Sequence, residues 1–126
     1  MKTEVTPQYM FLVRGSCKDA HSPDGARSPE EMQAHMTEVF AWIDKFTRQG
    51  IFTAAQPLTD EGRLVSGGSS VTVTDGIAAE SKEAVGGFFI VNVASMDEAV
   101  KIASESPMIK HGGRLEVRQI AELKCD

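Results

Sequence analysis

The chain has 126 residues, 41% hydrophobic and 25% charged, the mixture of one compact domain over residues 1–126 with little room for a second. Thirteen Lys and Arg against eighteen Asp and Glu give a formal net charge of −5, which repels nucleic-acid phosphates and anionic lipid, so neither nucleic acid nor membrane is expected as a partner. No apolar run nears the roughly 20 residues of a membrane span, and Met1 to Pro7 lacks the apolar segment of a signal peptide, so a cytoplasmic location is expected.

Tyr9-Met10-Phe11-Leu12-Val13 is apolar at every position, the mark of a strand covered on both faces. The turn-forming stretch after Arg14, residues 15–27, reads as a surface loop long enough to be functional. Ser28-Pro29-Glu30-Glu31 then opens a helix: Ser28 caps, Pro29 suits the first helical position and Glu31 completes a capping box. Met32, Met36, Val39, Phe40, Ile43 and Phe46 recur at helical spacing as one stripe up to Gly50, a natural stop. Ile51 to Leu58 reads as a strand that Pro57 confines to an edge.

Ser69 to Thr74 alternates at period two before the turn signal Asp75-Gly76, so a hairpin or strand exit belongs there. Gly67-Gly68-Ser69-Ser70 reads as a flexible lead-in to that strand. After the paired glycines Gly86-Gly87, Phe88 to Val93 is a second nearly continuous apolar strand. Ser95-Met96-Asp97-Glu98 repeats the capping pattern and opens a helix with Met96, Ala99, Val100 and Ala103 on one face and Pro107 at its end. Arg114 to Ile120 begins with the polar and apolar alternation of an edge strand.

The order strand, helix, strand, hairpin region, strand, helix, strand predicts a ferredoxin-like βαββαβ α+β sandwich, an antiparallel sheet with two helices on one face. Two helices cover one face only, yet the strands at Tyr9 to Val13 and Phe88 to Val93 are apolar on both. A homodimer through the sheet face is therefore expected, the alternative being a cover supplied by the 15–27 loop.

Ser28-Pro29-Glu30-Glu31-Met32, Asp75-Gly76, Glu80-Ser81-Lys82-Glu83, Gly86-Gly87-Phe88-Phe89, Asp97-Glu98-Ala99, Pro107 and Glu116-Val117-Arg118, in this order, resemble the DGPF subgroup of the YCII-related family. The resemblance runs from about Tyr9 to Ile120. It implies a dimeric α/β barrel of ferredoxin-like protomers and cofactor-independent chemistry on small molecules, with a dehydrochlorinase-like activity in one branch. Ile77-Ala78 stands where the subgroup carries Pro-Phe. The resemblance also implies a His early in the first helix working with an Asp near the end of the second; His35 fits the first, and Ser106 or Glu105 would stand in for the second.

His35 lies on the flank of the first helix's apolar stripe, close to Trp42 and at the boundary between sheet and solvent. It is the candidate acid or base, with Trp42 a candidate substrate contact; the structural alternative is a boundary His making one hydrogen bond. Asp75, Glu80, Lys82 and Glu83 form a charged cluster flanked by glycine. Lys82 suits an anionic substrate group, Asp75 and Glu83 are candidate catalytic acids, and Glu80 or Glu83 can relay a proton; the alternative is a solvated loop. Arg114, Glu116 and Arg118 read as surface pairing or a dimer contact, and His111 as part of a turn that could supply a mobile acid or base. Cys17 and Cys125 lack Cys-x-x-Cys or metal-type spacing, and dinucleotide, phosphate-loop, His-x-x-x-His and nucleophile-elbow motifs are missing. No cofactor and no metal are expected. The function these residues suggest is a small-molecule enzyme of proton transfer, elimination or isomerisation with His35 as acid or base. The alternative is a non-catalytic dimeric module for a small ligand or a protein.

Overall fold

The computed structural model describes residues 6–15, 28–59, 61–75 and 85–122. Of the expected 15–27 loop only Gly15 is among them, and Glu80, Lys82 and Glu83 lie outside them.

Strand β1 (Gln8–Arg14) buries Tyr9, Phe11 and Val13 and leaves Met10 and Leu12 half-buried on its other face. Helix α1 (Pro29–Arg48) begins with the full capping box: Ser28 Oγ accepts from the Glu31 N–H at 3.1 Å, and Glu31 Oε1 accepts from the Ser28 N–H at 3.0 Å. It closes in a Schellman turn, in which Gly50 donates to Thr47 O at 3.0 Å and Ile51 to Phe46 O at 2.9 Å. Gly50 can adopt the required φ of +76° because it carries no Cβ. The buried stripe is His35, Val39, Trp42 and Phe46. This corrects the expected stripe: Phe40 is 61% exposed, and Met32, Met36 and Ile43 are half-buried flanks. The helix has rotated to bring Trp42, its largest apolar side chain, over the sheet.

Strand β2 (Phe52–Pro57) is an edge strand, as Pro57 requires. Strands β3 (Arg63–Ser66) and β4 (Thr72–Asp75) form a separate two-stranded hairpin, Val65 opposite Val73 and Arg63 opposite Asp75. The turn of this hairpin falls at Gly67 to Val71, where Gly68 adopts φ +137°, and β4 ends at Asp75. The lead-in glycines thus make the turn, and β3, with only two apolar residues, gives too weak a period to be read from sequence.

Strand β5 (Val85–Asn92) lies between β1 and β2, with Phe11 opposite Phe89. Helix α2 (Met96–Ser104) is capped by Ser95 and buries Ala99, Ile102 and Ala103. Met96 and Val100 are instead exposed, so the inward face is one residue round from the expected one. Pro107 starts a further short helix, α3 (Pro107–Lys110), whose cap is the fully buried Ser106. Strand β6 (Arg114–Gln119) completes the sheet beside β1.

The sheet order is β2-β5-β1-β6, every pair antiparallel. With the hairpin set aside, this is the ferredoxin-like order, two βα units interleaved. Phe11, Trp42, Phe46, Phe52, Phe89 and Val91 centre the core between the helices and one face of the sheet. The opposite face carries Met10, Leu12, Ala54, Phe88 and Ile90, all half-buried.

Candidate functional site

At one end of the sheet, the finish of β1, the finish of β2 and the start of β5 lie with α1 around a cavity of about 330 Å³. Its walls include Val13, Met36, Val39, Phe40, Phe89 and Met108, with Gly86 and Gly87 at the strand start. The volume is at the lower end of the small-molecule range, and the lining is nearly all apolar. Gln56 is the one lining residue with a polar side chain among the described residues. Phe40, the exposed member of the expected apolar stripe, stands at this cavity.

His35 sits on α1 immediately before Met36 and one turn before Val39. It is 2% exposed, deeper than the boundary position expected from the helical wheel, because the rotation of α1 that seats Trp42 also carries His35 inward. Its Nδ1 is closed to solvent and takes no hydrogen bond among the described residues, while the side chain keeps other contacts. The His35 ring meets His111 edge to face, with centroids 5.2 Å apart and planes at 77°. His111 Nε2 in turn lies 4.0 Å from Glu38 Oε2.

His111 is positioned by the end of α3. Its own N–H donates to Met108 O at 3.3 Å, and the Gly113 N–H donates to the same oxygen at 2.8 Å. Gly112 between them adopts φ +90°, a conformation that an L side chain would strain. Met108, which anchors this turn, is buried and also walls the cavity. The histidine pair and the cavity therefore share α1 and α3 as supports, although neither ring is among the lining residues.

Trp42 belongs to the core. It packs against Phe52 at 4.9 Å and Phe89 at 5.2 Å between centroids, and its Nε1 donates to Ile102 O at 3.3 Å. It does not line the cavity. Asp75 ends β4 opposite Arg63. Of the two expected stand-ins for an acid, Glu105 pairs with Lys45 at 3.6 Å on the surface, whereas buried Ser106 uses its Oγ to accept from the Met108 N–H at 3.1 Å. Glu116 lies 3.6 Å from both Arg14 and Arg118, surface pairing of the kind the strand pattern suggested. No group of three or more His, Cys, Asp or Glu among the described residues could hold a metal ion.

Sequence comparison places this arrangement in a family: residues 8–124 match the YCII-related domain. The chain belongs to the YCII-related domain family. An uncharacterised protein, R00369 of Rhizobium meliloti (strain 1021), is 31% identical over 112 residues, covering 86% of this chain and 90% of that protein. Among solved structures, the 5-chloro-2-hydroxyhydroquinone dehydrochlorinase TftG of Burkholderia phenoliruptrix AC1100, solved with 2,5-dihydroxybenzoquinone, superposes with a TM-score of 0.51. It shares 12% sequence identity, over 90% of this chain and 93% of its own. At that identity the likeness speaks for the fold alone, in agreement with the ferredoxin-like strand order. No helix among the described residues is long and apolar enough to cross a membrane.

Proposed function

We propose that this YCII-related protein is a small-molecule enzyme that works by proton transfer, with His35 as its acid or base and a largely apolar ligand held between α1 and the sheet. The observation that carries the reading is a buried imidazole on the helix that walls an apolar cavity of ligand size. An imidazole changes protonation near neutral pH, and a water-poor site strengthens its interaction with a reacting group. The same fold carries a dehydrochlorinase in TftG, so the scaffold is compatible with chemistry on a small molecule. Lys82 as an anion binder and Asp75, Glu80 or Glu83 as proton carriers belong to the same proposal on their chemistry and on the resemblance.

The test is a metabolite screen for turnover followed by His35→Gln. Loss of at least about a hundredfold in kcat with the fold intact is expected for a general acid or base, and full turnover in the variant refutes the role. A second reading, a non-catalytic ligand-binding module, is favoured by one observation: of the two residues that would stand in for the implied Asp, Ser106 spends its hydroxyl on capping α3 and Glu105 pairs with Lys45 on the surface. Ligands that raise the melting temperature without ever being turned over would decide for it.

The partner we propose is a second copy of the chain on the open sheet face. Met10, Leu12, Ala54, Phe88 and Ile90 form an apolar band there, on the face turned away from the helical core, and a two-fold pairing of such bands is self-complementary. Sedimentation at micromolar concentration should give a dimer, and Leu12→Glu should give a folded monomer. A wild-type protein that sediments as a monomer overturns the pairing.

A further inference from the structure

Resting on the reading of His35 as an acid or base, we propose that His111, with Glu38, is the route by which the buried His35 exchanges its proton with water. A base that takes a proton in an elimination must return it to solvent before the next cycle, and a ring that is 2% exposed has almost no surface of its own from which to do so. The neighbouring groups supply a graded path outward. His111, in edge-to-face contact with His35 at 5.2 Å, is 39% exposed, and Glu38, 4.0 Å from His111 Nε2, is 56% exposed.

Each component suits its place. A neutral imidazole has one nitrogen that accepts a proton and one that donates, so it can take a proton on its inner side and release another on its outer side. Transfer requires the two rings to turn a nitrogen of each towards the other, which the 5.2 Å centroid separation allows within hydrogen-bond reach; the step then balances without any further reactant, as the His35 cation gives its proton to neutral His111, the resulting His111 cation gives a proton to water at its exposed edge, and both rings end neutral. The bonded turn that places both His111 N–H and Gly113 N–H on Met108 O fixes the backbone carrying this ring, so the contact with His35 is built into the end of α3. His111 is on this account a positioned proton carrier that acts through His35.

The rate of proton exchange at His35 can be read without any substrate. In protein labelled with ¹³C-histidine, relaxation dispersion at the His35 ring carbons near the midpoint of its titration gives that rate directly. His111→Phe keeps an aromatic edge against His35 and removes both nitrogens, and His111→Gln provides a second variant should the first fail to fold. Exchange about tenfold slower than wild type is expected in either variant, with a smaller slowing in Glu38→Gln. Loss of packing alone would loosen the site and leave the rate unchanged or faster, so only a slowing supports the relay. Rates within about twofold of wild type in the His111 variants, faster rates, or a His35 that holds one protonation state from about pH 4 to 9 overturn the proposal. An unchanged rate in Glu38→Gln overturns the carboxylate's part in it. Because this readout needs no turnover, the relay can fail while the acid or base role of His35 stands, and the His35→Gln turnover assay can fail while the exchange route stands.

Discussion

Replacing Trp42 by Phe separates a structural tryptophan from a ligand-binding one. The substitution leaves a ring among Phe11, Phe46, Phe52 and Phe89 but removes the fused five-membered ring and its N–H. The lost volume is about 40 Å³, which at about 24 cal/mol per Å³ of unrelaxed cavity costs about 1 kcal/mol. Losing the hydrogen bond from Nε1 to Ile102 O adds about 1 kcal/mol. No orphaned carbonyl raises this figure, because Ile102 O still accepts from the Glu105 N–H at 3.2 Å. The total is about 2 kcal/mol, a melting temperature lower by about 6–10 °C for a domain of this size. Urea unfolding followed by far-UV circular dichroism measures it, with the midpoint falling and the slope unchanged. Ligands found by thermal shift should bind Trp42→Phe as they bind the wild type, because the indole is absent from the cavity wall. A variant of wild-type stability that has lost ligand affinity refutes this reasoning and returns Trp42 to the site.

Two further substitutions test the frame of the cavity. A Cβ on Gly87 would stand 2.9 Å from Gln56 O and 3.3 Å from Pro57 Cα; both are backbone atoms of the paired strand, so Gly87→Ala should cost about 1–3 kcal/mol in urea unfolding, and a neutral result would show that β2 yields easily. Met36→Trp puts a larger side chain at a half-buried wall position of α1. Titration with 4-methylphenol, read at the Met108 methyl resonance, should saturate in wild type and weaken at least about tenfold in Met36→Trp, equivalent to 1.4 kcal/mol of binding; equal affinity would place the ligand elsewhere.

The fold was legible wherever one residue type has one physical use. Ser28-Pro29-Glu30-Glu31 can satisfy the first N–H groups of a helix in very few ways, and it forms the capping box that the spacing predicts. Pro57 cannot donate to a second neighbour, and β2 is an edge strand. The unbroken apolar runs in β1 and β5 became the two central strands. Sequence gave less where several residues competed for one role. On α1, Phe40 and Trp42 are both large and apolar, and the helical period fits an inward stripe through either. Which of them turns inward depends on the shape of the sheet beneath: Trp42 reaches the groove between Phe52 and Phe89 while its N–H finds a carbonyl on α2. That choice of rotation also took His35 from the boundary into the interior.

The candidate site was legible in one half only. His35 stood out because a titratable ring beside a helical apolar stripe is unusual, but its partner lies 76 positions away in a stretch that reads as a turn, Lys110-His111-Gly112-Gly113. Nothing local connects the two: their meeting depends on α3, a four-residue helix with too short a span for a period and with Pro107 at its start, which reads as the end of the preceding helix. Ser106 carries the one signal that was available. A Ser-Pro pair ahead of two apolar residues fits a new N-cap with Pro at the first helical position as well as it fits a terminus. On that reading the chain turns back after α2, Met108 becomes an anchor, and the residue three positions beyond it falls on the helix-covered side of the sheet. A histidine there is then the neighbour of α1, where a Glu one turn from His35 can reach it. The pairing of His35 with His111 thus follows from the cap at Ser106, and Ser106→Ala, which removes that cap, should loosen the His111 turn before it disturbs the aromatic core.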